Sequence, residues 1–215
     1  MKTLLFVAVS LLPLNVFSTI DIQPHVLEIQ QTNEVVNVIN HGSVTEYITI
    51  QLYQIKNPGV PADQESLISV GEQPQPSLFA VPSKLTLGPK QSGRVLLKAL
   101  QQPNKEQVYR LSVIPEKNLH VSGGHGAVVD VKLSYMGLIR HLPALLHHQW
   151  IHRCIDGNLE LQNTGNTRLH WQQLKTQQGE IEDFNLYPEK YRQLPVGNLQ
   201  GMVEDEPFSL QCSAG

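Results

Sequence analysis

What the 215-residue sequence lacks narrows its class first. No basic run occurs, and 16 Lys and Arg stand against 19 Asp and Glu, so neither nucleic acid nor an anionic membrane surface is an expected partner. No apolar stretch reaches the roughly 20 residues of a spanning helix, so the chain is not expected to be membrane-embedded. No nucleophile elbow, phosphate-binding glycine loop or zinc-protease helix signature is present. The closest carboxylates, Glu204, Asp205 and Glu206, precede Pro207 in what reads as a solvated turn. An enzyme has no support in these residues, and no cofactor is implied. Cysteine is nearly absent as well, with Cys154 and Cys212 alone.

What is present begins with residues 1–18. Lys2 precedes a mostly apolar run from Leu4 to Leu14, and Val16 and Ser18 have the spacing of a cleavage site, which reads as a secretory signal peptide. An exported chain reaches an oxidising compartment, so Cys154 and Cys212 are expected to form one disulfide. The chain-entropy model gives such a loop about 4 kcal/mol of stabilisation. The mature remainder, roughly 200 residues, fits two domains of about 100 each.

Past Thr19 no helical period is sustained, and short apolar stretches recur between turns. Ile48, Ile50 and Leu52 alternate with Thr49 and Gln51 before the turn Asn57, Pro58, Gly59. Further strands are expected over 35–39, 67–70, 78–81, 94–100 and 108–114. After Pro143 the pattern restarts over 149–154, 159–161, 168–174, 181–187, 199–203 and 208–212. This spacing predicts an all-β chain of antiparallel sandwiches, one over 19–142 and a second over 143–215. The polar, glycine-rich segment 115–126 is expected to be a mobile loop.

Residues 127–140 read as one long strand. Ala127, Val129, Val131, Leu133, Tyr135 and Ile139 share one parity, opposite Asp130, Lys132 and Ser134. The length exceeds the usual 5–6 residues or so. Two readings fit the alternation: a face packed into its own domain, or a strand offered to a partner's chain by β-augmentation. The strand ends at Arg140, His141, Leu142 and Pro143, where proline stops further pairing. A second grouping, His141, His147, His148 and His152 near Cys154, has the ligand types of a zinc or copper site. An extended segment would hold these residues too far apart for one ion, and the disulfide is the better use of Cys154. An exported sandwich binding metal or ligand through this linker is the alternative function.

Several motifs add a resemblance. Val81-Pro82 through Leu87 with Arg94-Val95-Leu96, then Glu106-Gln107-Val108-Tyr109-Arg110-Leu111, Leu138-Ile139-Arg140-His141-Leu142-Pro143, Asn163-Thr164-Gly165-Asn166 and Tyr187-Pro188-Glu189-Lys190 follow in order over most of the mature chain. In this the chain resembles the periplasmic chaperones of the chaperone-usher pilus pathway, most closely the alternate branch serving colonisation-factor and common-pilus fimbriae. The resemblance implies two immunoglobulin-like domains at an angle with a cleft between them. It also implies a non-enzymatic periplasmic chaperone that completes pilin subunits with its own strand, delivers them to an outer-membrane usher, and self-associates to cap that strand when free. The donated side chains would then be Val129, Val131, Leu133, Tyr135 and Ile139, and Arg140 would anchor the subunit's terminal carboxylate. Better-known members carry a basic residue on the first strand, whereas here no Lys or Arg occurs between Lys2 and Lys56. Only His25 and His41 lie there, so Arg168 is the expected second grip.

Overall fold

The computed structural model describes residues 19–116, 119–122, 128–131 and 134–212. Strands over the first part of the chain are β1 (Ile20–Gln23), β2 (Val26–Ile29), β3 (Glu34–Asn40), β4 (Glu46–Ile55), β5 (Leu67–Ser69), β6 (Leu78–Val81), β7 (Lys84–Leu87), β8 (Ser92–Ala99), β9 (Gln107–Pro115), β10 (Leu119–Ser122), β11 (Val128–Val131) and β12 (Tyr135–His141). The remainder are β13 (Trp150–Ile155), β14 (Asn158–Asn163), β15 (Leu169–Thr176), β16 (Gly179–Glu180), β17 (Phe184–Leu186), β18 (Tyr191–Leu194), β19 (Asn198–Val203) and β20 (Glu206–Gln211).

In the first sandwich β1, β3, β8 and β6 make one sheet, and β2, β12, β9, β4 and β5 make the other, with β7 added on β4. Pro24 separates β1 from β2 and offers no N–H to a ladder. There the chain leaves the first sheet for the second, where β2 pairs in parallel with the end of β12. The expected alternation on β4 is realised: Ile48, Ile50 and Leu52 point into the core, where Val36, Val38, Val95, Leu97, Leu111 and Val113 meet them. Burying each such side chain contributes about 1.5–3 kcal/mol.

In the second sandwich β13, β14 and β18 face β16, β15, β19 and β20, with β17 paired to β15. Its centre is Trp171, which stacks on Phe184 at 5.8 Å and meets Trp150 and Phe208 edge-on at 4.9 and 5.0 Å. Cys154 of the edge strand β13 is bonded to Cys212, just past the edge strand β20, with Cα atoms 5.6 Å apart. The expected disulfide thus joins the open edges of two facing sheets. Among the described residues no strand of one sandwich is paired with a strand of the other. The chain is all-β, two immunoglobulin-like sandwiches with a cleft between them.

Three expectations change. Of the long strand expected over residues 127–140, the described residues form β11 and β12, and residues 127, 132 and 133 lie outside the described residues. The loop expected over 115–126 contains β10, which pairs antiparallel with β11. The short strands β1, β2, β7, β16 and β18 were not anticipated. Each is tied to a longer neighbour rather than formed by its own pattern.

Candidate functional site

β12 runs between β9 and β2, and its alternation decides what each side chain meets. Ile139 pairs with Tyr109 and is wholly buried in the core of the first sandwich, with Tyr135 half-buried against the same core. Met136, Leu138 and Arg140 therefore lie on the opposite face, opposite Ser112, Arg110 and Val108 of β9. This corrects the expected donated set: the face bearing Tyr135 and Ile139 is already occupied by the chain's own core. Of the other expected members, Val129 and Val131 lie on β11, and Leu133 falls outside the described residues.

The outward face of β12 meets the second sandwich. Ile55, Val108 and Leu138 pack with Tyr187 in a small apolar cluster between the sandwiches. Beside it opens a cleft of about 490 Å³, walled by Glu65, Arg110 and Leu138 from the first sandwich and by Asp183, Phe184, Tyr187 and Arg192 from the second. Arg110 donates to Glu65 through two parallel bonds, Nε at 2.8 Å and Nη2 at 2.7 Å. That pairing holds its guanidinium above the ordinary value, against the desolvation that opposes it. Across the cleft the Arg192 guanidinium lies 4.1 Å above the Phe184 ring. The Asn57-Pro58-Gly59 turn forms the rim. Gly59 has φ 97°, and its Cα faces the Tyr187 ring so closely that a Cβ would come within 3.2 Å.

Two residues beyond Leu138 on the same face of β12, Arg140 is an internal group. Its side chain is only 6% exposed, and Glu106, fully buried, accepts from its Nε at 2.6 Å and its Nη2 at 2.9 Å. Nη1 is paired with Glu28, whose side chain is 54% exposed. Burial pulls the Arg140 guanidinium down, but the bonds and charge of Glu106, with Glu28, more than reverse this and hold it above its ordinary value. Glu106 also accepts from the second sandwich, from Thr167 Oγ1 at 3.0 Å and the Arg168 N–H at 2.6 Å. The carboxylates that Arg140, the expected anchor, meets in this structure are the chain's own.

Arg168, the expected second grip, adjoins this cluster through its main-chain N–H to Glu106. Its buried Nε has no hydrogen-bond partner among the described residues. Tyr187 registers the whole group: burial, then the Glu106 charge, raises its phenol, opposed by Arg140, Arg168 and Arg110. His25 and His41 lie elsewhere, flanking Asp21 at 3.7 and 3.6 Å. The histidine grouping does not assemble. His141 is buried in the first sandwich with Nδ1 3.3 Å from Ser77 Oγ, Cys154 is in the disulfide, and among the described residues no three His, Cys, Asp or Glu side chains are placed to hold a metal. The sequence did not mark Glu106, Glu28 or Glu65 as arginine partners, although Glu106 opens one of the motifs. Their arginine partners lie far along the chain, 112 residues away for Glu28, and nothing local marks them.

No family model matches the chain, and no curated protein sequence matches it. Its fold is that of the fimbrial chaperones of the chaperone-usher system. The class 5 fimbriae chaperone CfaA is similar over 91% of this chain and 100% of its own, with 21% identity and a TM-score of 0.71. A chain of the CFA/I fimbriae chaperone–tip adhesin complex matches over 92% and 100%, with 19% identity and a TM-score of 0.70. A chain of the CsuC–CsuE chaperone–tip adhesion subunit pre-assembly complex of Acinetobacter baumannii matches over 91% and 98%, with 15% identity and a TM-score of 0.57.

Proposed function

We propose that the chain is a periplasmic, non-enzymatic chaperone that lends a strand to incomplete pilin subunits and passes them to an outer-membrane usher. In this reading residues 1–18 are removed on export, the first domain ends at Leu142, and the second begins at Pro143. One observation carries it. β10 and β11 form a two-stranded ribbon apart from both sheets, and β2 covers β12 only over residues 138–141. Among the described residues, one side of β11 and the start of β12 therefore have no neighbouring strand. An isolated two-stranded ribbon is marginal in water, and an unpaired edge is a template for another chain. A subunit lacking its last strand satisfies both edges at once through main-chain hydrogen bonds.

The lent side chains in this proposal are Val129, Val131 and Leu133, while Tyr135 and Ile139 hold the strand's root in the core. A subunit's terminal carboxylate reaches Arg140 by exchange. Glu28 is half-exposed and replaceable, whereas Glu106 stays buried on the other edge of the guanidinium. The unpartnered Arg168 Nε supplies the second donor. Co-expression in a periplasm with a pilin subunit tests the reading: a stoichiometric complex is expected, lost with Leu133→Asp and kept with Asp130→Ala. Equal loss from both would overturn the lent face, and no complex with any pilin from the neighbouring genes would overturn the function.

A further inference from the structure

The two sandwiches meet through a segment to which the chaperone reading gives no task, residues 163–167. Asn166 is bonded in two directions at once. Its side-chain carbonyl accepts from the His147 N–H at 2.7 Å, and its side-chain amide donates to the Leu145 carbonyl at 2.8 Å, both in the linker between the sandwiches. Its main-chain N–H donates to the His147 carbonyl at 3.1 Å. Its main-chain carbonyl faces the first sandwich and accepts from the Glu106 N–H at 2.8 Å.

Neighbouring residues close the same seam. The Thr164 and Gly165 N–H groups both donate to the Gln149 carbonyl at 2.9 Å. A Cβ on Gly165 would lie 2.1 Å from the His147 carbonyl oxygen, so the linker can approach this closely only because the residue is glycine. Asn163 is buried and ties the loop to its own sandwich by donating to the Thr167 and Leu186 carbonyls at 2.8 and 2.7 Å.

We propose that Asn166 is a positioning residue, the centre of a clasp that holds linker, first sandwich and second sandwich as one cooperative unit and thereby sets the opening of the cleft. Contacts between domains joined by short linkers normally permit relative motion. A clasp of main-chain bonds resists it, because the linker cannot swing without breaking several bonds together. The bearing on subunit binding rests on the chaperone reading; the clasp itself does not.

Hydrogen exchange of the free mature protein tests it. Asn166→Ala deletes only the two side-chain bonds to the linker. If the clasp is cooperative, exchange accelerates not only at His147 but also at the Glu106 and Arg168 amides, which the Asn166 side chain does not touch, while core amides such as Leu111 and Trp171 keep their rates. Asn166→Asp retains the acceptor for His147 and falls between. Gly165→Ala accelerates the same set more strongly, and if that variant does not fold, Asn166→Ala still decides. Acceleration confined to His147 would overturn the proposal. No partner is present in the measurement, so a failure to bind pilin would count against the chaperone reading alone.

Discussion

Replacing Glu106 with alanine should be among the most damaging single changes to the free protein. The carboxylate is fully buried and accepts four bonds, two from Arg140, one from Thr167 and one from the Arg168 main chain. Its loss leaves an almost buried guanidinium with Glu28 alone, and a hydroxyl and an amide with no acceptor. Removing one partner of a buried ion pair costs about 3–5 kcal/mol. The stranded neutral donors do not simply add to this, since water can enter where the side chain was removed. In a chain of this size each kcal/mol moves Tm by about 2–4 °C, so a fall of roughly 6–20 °C is expected. Circular dichroism follows both sandwiches, and the two tryptophans, Trp150 and Trp171, report the second alone. Because Glu106 bridges the seam, both signals should shift. Glu106→Gln keeps an acceptor without the charge and should lie between. A fall in Tm below about 2 °C for the alanine variant would refute the account of Glu106 as a buried, seam-spanning carboxylate.

Other expectations are as direct. Substituting both Cys154 and Cys212 with alanine should destabilise the protein by about 4 kcal/mol, read from urea midpoints, and alkylation of the unreduced protein should add no mass. Ile139→Ala should cost the free chain about 2–5 kcal/mol, whereas Met136→Ala, on the outward face, should cost under about 0.5. Burial holds the His141 imidazole below its ordinary value, so the unfolded chain takes up a proton that the folded chain refuses. Stability should be complete above the ordinary imidazole value of about 6.5 and fall as the pH drops towards the folded value. His141→Asn should flatten that fall in urea midpoints, and an unchanged profile would exclude His141 as its source.

The all-β class, most long strands and the disulfide were legible because each rests on local or compositional signals. Alternation at Ile48, Ile50 and Leu52 is one, and two cysteines in an exported chain are another. The parity of Tyr135 and Ile139 was also legible, since both do share a face. What covers that face was not, because a strand packed in its own core and a strand lent to a partner alternate alike. Arg140 shows the same limit for charge. The motif marks the residue, but its partners Glu28 and Glu106 come from distant segments that only the fold brings together. Asn166 was visible as part of Asn163-Thr164-Gly165-Asn166. Its bonds to the linker depend on a turn geometry that the four letters do not encode.

Lending of the β11–β12 edge is most directly tested by hydrogen exchange of the chain alone and in complex with a pilin subunit. The account predicts that amides in Val128–Val131 and in residues 135–137 gain strong protection on binding, while those of β6, at the far edge of the opposite sheet, do not change. A complex in which β6 is protected and the β11–β12 edge exchanges as freely as before would contradict it.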